Sequence, residues 1–123
     1  MMVADAFNHL RLGTSGDVMR VEITSKEIQG PDVAKEFISE LNAAVDCDGP
    51  GPILVDLGRL RYLSSMGYSA LFKMVKTAKE RGRPIRFYNM HEDVRVGADA
   101  VNMSLVVETH DTEAAALEAF ARP

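Results

Sequence analysis

The stretch that decides the fold is PILVDLGRLRYLSSMGYSALFKMVKTAKERGRPIRFYNM, which runs from Pro52 to Met90. It contains two short apolar runs, ILVDL and PIRFYN, with a longer segment between them. In that segment Leu71, Val75 and Ala78 recur at intervals of four and three residues, which predicts an amphipathic helix. A strand, a helix and a second strand in this order are typical of a parallel sheet that is covered by helices.

The sequence before this stretch adds a hairpin and a helix. DVMRVEIT has Met19, Val21 and Ile23 as an apolar set with a period of two, which predicts a half-buried strand. FNHLRL predicts a preceding strand, and GTSG at positions 13–16 has the composition of the turn between them. PDVAKEFISELNAAV begins with Pro31, which suits a first helical turn, and its apolar spacing predicts an amphipathic helix.

The sequence after the stretch predicts a helix, a strand and a last helix. Asn89 and Glu92 have the spacing of a capping box, which predicts a helix through EDVRVGADAV. SLVVE predicts a strand, and DTEAAALEAF predicts a helix that Asp111 or Thr112 caps. We therefore predict a single α/β domain over residues 1–123, with a mixed, mostly parallel β-sheet, an N-terminal β-hairpin and about four α-helices.

Composition narrows the function classes. Of the 123 residues 46% are hydrophobic and 26% charged, values that are typical of a globular domain. The formal net charge of −4 argues against a nucleic-acid partner, because such proteins need basic surfaces to neutralise phosphates. No apolar run approaches the roughly 20 residues that span a bilayer. The start, MMVADAFNHL, does not have the pattern of a signal peptide, so we expect no membrane partner and a cytoplasmic location.

Cysteine and histidine give no sign of a cofactor site. Cys47 is the single cysteine, which fits a reducing compartment, and we expect it to be a plain residue at the end of a helix. His9, His91 and His110 are far apart and lack metal-ligand spacing. We therefore predict no metal and no cofactor from sequence spacing, which leaves open only a metal site that the folded chain assembles.

Two adjacent serines, Ser64 and Ser65, precede the helix of the deciding stretch. A serine in this place is an ordinary N-cap, because its hydroxyl accepts a hydrogen bond from a free N–H of the first turn. A hydroxyl at an exposed junction of strand and helix is also accessible to a kinase. Phosphorylation would add roughly −1.5 to −2 charge beside a helix N-terminus, which tolerates anions. The two roles are compatible.

From about residue 18 to residue 120 the chain resembles the STAS domains of anti-sigma factor antagonists and sulphate transporters. In that family an apolar strand that ends in Asp-Leu leads to an Asp-Ser-(Ser/Ala)-Gly motif and a helix, and SSMG takes the place of this motif here. The resemblance implies a STAS-like fold and a bacterial, non-enzymatic regulator of transcription. It also implies that a partner kinase phosphorylates Ser65, with Ser64 as the alternative acceptor. The residues that it implies for partner binding are Ser64, Ser65, Met66, Gly67 and Tyr68.

The partner that the resemblance implies is an anti-sigma factor that is also a serine-protein kinase. By partner switching, the unphosphorylated protein would bind it and free a sigma factor. As an oligomer we expect a monomer or weak dimer.

The sequence departs from the family pattern at two motifs. Ser64 stands where the family has an aspartate, and Met66 where it has a small residue. In TSKEI, Ser25 and Ile28 stand at the glycine and aspartate positions of the family's Gly-x-(Leu/Ile)-Asp motif. Both missing aspartates belong to the surface that the family offers to a kinase. The departures keep an alternative open, a STAS domain that binds a protein or a small molecule without being phosphorylated.

Two other classes fit the sequence poorly. A receiver domain would use Asp56 as its phosphoacceptor, but the chain has no early acidic pair and no lysine beyond Lys79. We expect Asp56 instead to accept hydrogen bonds from nearby backbone donors. An enzyme would need a nucleophile motif, a Gly-rich phosphate loop or a base near Ser65, Tyr68 and Ser69, and none is present in the sequence. We predict no catalytic residues.

Overall fold

The computed structural model describes residues 7–47 and 49–122. Within these residues the chain forms seven strands and four α-helices, with a short 3₁₀ helix at Met103–Leu105. The strands are β1 (Leu10–Ser15), β2 (Val18–Ile23), β3 (Glu27–Ile28), β4 (Ile53–Asp56), β5 (Tyr62–Leu63), β6 (Ile85–Tyr88) and β7 (Glu108–His110). The helices are α1 (Pro31–Val45), α2 (Ser65–Glu80), α3 (Glu92–Ala100) and α4 (Glu113–Ala121).

The main sheet has five strands in the order β1-β2-β4-β6-β7. β1 and β2 form an antiparallel hairpin, and the pairs that follow, from β2·β4 to β6·β7, are parallel. The predicted α/β fold, with its mixed sheet, its hairpin and its four helices, is confirmed. β3 and β5 form a separate two-stranded parallel sheet that the sequence did not predict.

The two faces of the main sheet are covered unequally. On one face α1, α2 and α3 pack in a large core that includes Phe37, Leu71 and Phe87. On the other face α4 packs alone, in a small cluster with Val18, Leu54, Tyr88 and Ala116. β4 is buried on both faces, as its continuous apolar run predicts, because Val55 belongs to the large cluster and Leu54 to the small one. No helix of the described residues is long and apolar enough to cross a bilayer.

The hairpin turn is shorter than predicted. The GTSG segment was expected to be the turn, but β1 continues to Ser15, which pairs with Val18. The turn is therefore the dipeptide Gly16–Asp17, in which Gly16 has a φ of +61°. Tight two-residue hairpin turns require positive φ, and glycine adopts it without steric cost.

The predicted capping box at Asn89 and Glu92 is wrong. α3 begins at Glu92, but its N-cap is His91, whose Nδ1 accepts a hydrogen bond from the Asp93 N–H at 3.2 Å. Asn89 has a φ of +63°, and its N–H donates to the His110 carbonyl in β7. The chain there is held to the sheet, so Asn89 cannot reach the helix as a cap.

The last predicted strand begins later in the structure. The SLVVE segment contains the end of the 3₁₀ helix Met103–Leu105, and β7 begins only at Glu108. The last helix is as expected, with Thr112 as its cap, because the Thr112 hydroxyl accepts from the Ala115 N–H at 3.1 Å. Cys47 follows the end of α1, as predicted. It is buried, and its thiol donates to the Ala43 carbonyl at 3.3 Å.

Candidate functional site

The small β3·β5 sheet brings together TSKEI and SSMG, the two motifs that differ from the family pattern. After β4 the chain leaves the main sheet, and β5 pairs with β3. The Ser64 N–H then donates to the Ile28 carbonyl at 2.9 Å. The chain therefore reaches the first turn of α2 beside the end of the TSKEI segment. Residues that are more than 30 positions apart in sequence form one surface at the start of α2.

The structure gives the two serines different environments. Ser64 is the N-cap of α2, and its hydroxyl accepts a hydrogen bond from the Gly67 N–H at 3.3 Å. Ser65 is the first residue of the helix and is exposed. Within residues 7–47 and 49–122 no hydrogen bond engages the Ser65 hydroxyl. Ser64 is thus already used in capping, whereas Ser65 has a free hydroxyl at the helix N-terminus.

Gly67 is buried and supports the site by close packing. A Cβ atom at this position would lie 2.7 Å from Leu63 Cγ and 3.4 Å from Ile28 Cγ2. A separation under about 3 Å between carbon atoms is repulsive, because van der Waals contact falls at 3.5–4.0 Å. Glycine therefore lets the first turn of α2 rest directly on β3 and β5.

Tyr68 joins α2 to α3. Its hydroxyl donates to the Val94 carbonyl at 2.8 Å, and a Cβ atom on Gly97 would lie 2.9 Å from its ring atom Cε2. Burial, and to a lesser extent Tyr62 nearby, raise the pKa of Tyr68 above its ordinary value. Gly97 lowers helix propensity in the sequence, and the structure shows the reason for a glycine, since the tyrosine ring packs on it.

A cleft of about 430 Å³ lies between α2 and α3 beside these residues. Of the five residues predicted for partner binding, Ser64, Ser65 and Tyr68 line it. Met66 is exposed outside it, and Gly67 is buried beneath the helix. The other lining residues come from the following turns of α2, whose exposed side was also expected to belong to the surface, and from β5 and α3 with its C-cap. Sequence reasoning missed those of β5 and α3, because they meet α2 only in the folded chain. The other lining residues include Tyr62, Ser69, Phe72, Gly97, Ala100 and Val101.

Exposed hydrophobic side chains concentrate around this part of the molecule. The exposed large hydrophobic residues of the described chain belong to β5, α2, α3, the C-cap of α3 or the 3₁₀ helix. They are Tyr62, Met66, Val96, Val101 and Leu105. Exposed apolar residues that cluster on one side of a protein are typical of an interaction surface.

Asp56 lies elsewhere, at the carboxyl end of β4 and facing α4. Its carboxylate accepts from the Gly58 N–H at 2.8 Å, as expected for a strand end, and from the Tyr88 hydroxyl at 3.0 Å. The Tyr88 hydroxyl is also 3.1 Å from Glu113 of α4, to which Arg20 donates at 2.6 Å. Burial first, and then Asp56 and Glu113, raise the pKa of Tyr88 strongly. This network attaches α4 to the sheet.

His9, Glu36 and Glu40 form a group that could hold a metal, and the sequence spacing did not indicate it. The His9 ring is 2.7 Å from both Glu36 and Ser25, and Glu40 accepts the N–H groups of Asn8 and His9 at 2.9 and 2.8 Å. These polar groups are satisfied within the protein. They attach the start of β1 to α1.

The family profile described as the STAS domain matches residues 32–116. This match covers most of the chain, and the protein belongs to the STAS domain family. A search among curated proteins finds no significant match.

Solved structures agree with the family. An anti-sigma-factor antagonist (STAS) domain protein from Planctomyces limnophilus is 17% identical, with a TM-score of 0.77 over 92% of this chain and 98% of that one. An anti-sigma factor antagonist from Mycobacterium paratuberculosis is 18% identical, with a TM-score of 0.77 over 92% and 93%. The phosphorylated form of the Bacillus cell fate determinant SpoIIAA is 12% identical, with a TM-score of 0.63 over 92% and 99%. At these identities the likeness shows a common fold.

Proposed function

We propose that this protein is an anti-sigma factor antagonist that acts by partner switching in the bacterial cytoplasm. The observation that carries the proposal is the exposed Ser65 hydroxyl at the first position of α2, beside a cleft and several exposed apolar side chains. The STAS fold, which the chain has in common with anti-sigma factor antagonists, supports the general role. The protein would act by binding and not by catalysis.

In this proposal the unphosphorylated protein binds an anti-sigma factor that is also a serine kinase, and so frees a sigma factor. The binding surface comprises Ser64, Ser65, Met66 and Tyr68, with Gly67 supporting it from below. The cleft and exposed apolar residues beside Ser65 suit such a contact, because buried apolar area is the main source of affinity in a protein interface.

Phosphorylation of Ser65 would release the partner. The kinase transfers the γ-phosphoryl group of ATP to the Ser65 oxygen, the hydroxyl loses its proton and ADP leaves. The product carries about −1.5 to −2 charge at an interface that was neutral there, and burying such a charge against a partner is costly. The N-terminus of α2 tolerates an anion, so the domain itself stays folded.

Intact mass spectrometry tests the modification. The purified protein is incubated with ATP and a serine kinase encoded beside its gene, and we expect the added mass of one phosphate. Ser65→Ala should abolish the gain, while Ser69→Ala, an exposed serine one turn further along α2, should keep it. Loss of the phosphate in Ser64→Ala but not in Ser65→Ala would assign the alternative acceptor. An unmodified protein, under conditions in which the kinase modifies another substrate, would contradict the switch.

A second function, a STAS scaffold or ligand-sensing domain that is not phosphorylated, has one observation in its favour. Ser64, which stands in place of the family's aspartate, acts as an N-cap and offers no negative charge to a kinase. This function predicts that a partner or small molecule binds wild-type protein and Ser65→Asp with equal affinity.

We also propose that the protein is a monomer or weak dimer, which size-exclusion chromatography with light scattering tests.

A further inference from the structure

The cleft beside Ser65 is one end of a longer groove. A second cavity of about 560 Å³ lies further along α2 and is lined by Phe72, Val75, Lys76, Lys79, Glu80 and Val106. Phe72 lines both cavities, so together they follow α2 along its side from its first residue to its last turn. We call this combined surface the α2 groove.

The α2 groove has an apolar floor. Phe72, Val75 and Val106 provide it, and they come from α2 and from the chain that follows the 3₁₀ helix. Leu105, the residue before Val106, is 81% exposed, the largest exposed fraction among the large hydrophobic side chains of the described residues. Leu105 lines a neighbouring cavity that also includes Lys79 and Val106, so exposed apolar surface continues past this end of the groove.

The rim of the groove on α2 is basic. Lys76 is exposed and forms no ion pair with any carboxylate in the part of the chain that the structure describes. Lys79 is also exposed, and its ammonium group donates to the Val106 carbonyl at 2.7 Å. Glu80 is the single acidic residue of the lining. In a protein of net charge −4 this rim favours an acidic occupant, because an acidic partner is repelled from most other surfaces.

The shape of the groove suits a helix. α2 has 16 residues and is therefore about 24 Å long, the length of a partner helix of four to five turns. Ser65, Ser69, Phe72, Lys76 and Lys79 follow one another at helical spacing along one side of α2. A partner helix along this side would have Ser65 at one end and the two lysines at the other. Apolar grooves between helical elements are a recurring way of binding amphipathic helices.

We propose that the α2 groove binds an amphipathic helix of the partner protein, with its apolar stripe on Phe72 and Val106 and its acidic flank toward Lys76 and Lys79. This inference rests on the proposed function in taking the partner to be the anti-sigma factor. It also gives phosphorylation a second effect, because a phosphate on Ser65 lies at the end of a groove that holds an acidic helix. Like charges repel, so the modification weakens the contact with acidic residues at the Ser65 end of the bound helix. Lys76 lies about 16 Å further along α2, where salt largely screens the phosphate.

A pair of synthetic peptides tests the groove without the natural partner. The probe is a fluorescein-labelled amphipathic helix of 16 residues, as long as α2, with leucines on one face and glutamates along one flank. The control peptide has lysine in place of each glutamate. In a fluorescence anisotropy titration the acidic peptide should bind saturably and about tenfold more tightly than the basic one, because two weak ion pairs with Lys76 and Lys79 are gained in one case and replaced by repulsion in the other. The difference should shrink at high salt, which screens exposed charges.

Charge-reversal variants connect that binding to the rim. Lys76→Glu should weaken binding of the acidic peptide and strengthen binding of the basic one. The change removes no ion pair of the described structure. Lys35→Glu, which changes an exposed lysine of α1, is the matched control and should change neither affinity. Equal affinities for the two peptides, no saturable binding of either, or indifference to Lys76→Glu would overturn the inference. A dimer in sedimentation velocity that Lys76→Glu dissociates would assign the groove to a second copy and overturn it too.

The groove and the proposed function can fail separately. If an anti-sigma factor binds in a Ser65-dependent way but is indifferent to Lys76→Glu, the groove inference is wrong and the function stands. If binding of the acidic peptide depends on Lys76 while no kinase or anti-sigma factor acts on Ser65, the groove inference is correct and the proposed function is wrong.

Discussion

At the scale of single residues, the candidate site separates roles that look alike in the sequence. Ser64 and Ser65 are adjacent serines, yet one is a half-buried cap and the other an exposed residue with a free hydroxyl. A modification at Ser65 therefore changes the surface while it leaves the cap hydrogen bond in place.

Ser65→Asp should weaken binding of the proposed anti-sigma partner about tenfold or more relative to Ser65→Ala, because a like or unpaired charge in an interface costs several kcal/mol. Both variants should fold normally, since an acidic residue in the first turn of a helix is favourable. Isothermal titration calorimetry compares the affinities, and melting temperatures verify the fold. Equal affinities would count against phosphorylation as the release signal.

Gly67→Ala should destabilise the protein although alanine is the better helix former. Alanine gains up to about 1 kcal/mol of helix propensity, but its Cβ forces Leu63 out of a packed position, at a typical cost of about 1–3 kcal/mol. Urea denaturation measures the difference. Ser69→Ala, an exposed change on the same helix, is the control and should stay within about 0.5 kcal/mol of wild type. An equally or more stable Gly67→Ala would show that Leu63 moves aside freely.

At the scale of elements, periodicity predicts the long ones and fails for the short ones. α1 and α2 have apolar stripes over 15 and 16 residues, and their bounds are close to those predicted. β3 and β5 have two residues each, too few for any period, and they form only because each pairs with the other. His91 was missed as the cap of α3 because a tertiary contact decides which residue caps the helix. Asn89, the predicted cap, is held by a hydrogen bond to β7 instead.

The candidate site was half predictable on these grounds. The serines and the start of α2 lie in one continuous sequence motif, so a family resemblance locates them. The opposite wall of the cleft depends on the Tyr68 ring resting on Gly97, a tertiary contact between residues almost 30 positions apart. Neither residue has a sequence signal for that contact, apart from a glycine inside a predicted helix.

The connection between α1 and β4 depends on one buried arginine. Arg83 is 3% exposed, and its guanidinium donates to the carbonyls of Val45, Cys47 and Gly51 at 2.6, 2.7 and 2.7 Å. Arg83→Met keeps the length of the side chain but leaves these acceptors without that donor. We expect a loss of about 2–4 kcal/mol in the free energy of unfolding, measured by urea denaturation.

A neighbouring arginine provides the matched control for that change. Arg81 is exposed and pairs with Asp46 on the surface at 3.0 Å. Arg81→Met should leave the melting temperature close to that of wild type, because exposed ion pairs contribute little. If both variants lose stability to the same extent, the effect comes from lost positive charge and not from the buried carbonyls.

At the scale of the whole molecule, the unequal covering of the sheet makes α4 the element that detaches first. Three helices share the large core, whereas α4 contributes only the buried Ala116 and the partly buried Leu117 and Phe120 to its small cluster. Its attachment depends on polar contacts of Glu113 with Arg20, Tyr88 and Ser15, and on Phe120, whose ring centroid lies 5.3 Å from the Arg86 guanidinium. The large cluster contains no residue of α4.

Acid should therefore release α4 before it unfolds the domain. The hydrogen bond from Arg20, as the largest cause, holds the pKa of Glu113 below its ordinary value of 4.5. A carboxyl whose pKa is lowered by folding contributes its full stability above the ordinary pKa, and this is lost as the pH falls through the lower, folded value. Below about pH 4.5 the attachment of α4 should weaken progressively. NMR spectra recorded from about pH 7 to about pH 3 should show the amides of α4 changing before those of β4.

Two substitutions in α4 test whether the Glu113 carboxylate causes the release of this helix in acid. At neutral pH the Glu113→Gln variant should show the loosened α4 that acid produces in the wild-type protein, and the pH dependence of its α4 amides should be flatter. Glu118→Gln, which removes an exposed carboxylate from α4, should leave both unchanged. If α4 and β4 lose their signals together in all three proteins, α4 is part of one cooperative unit with the sheet. In that case its small apolar cluster, and not the Glu113–Arg20 pair, holds it.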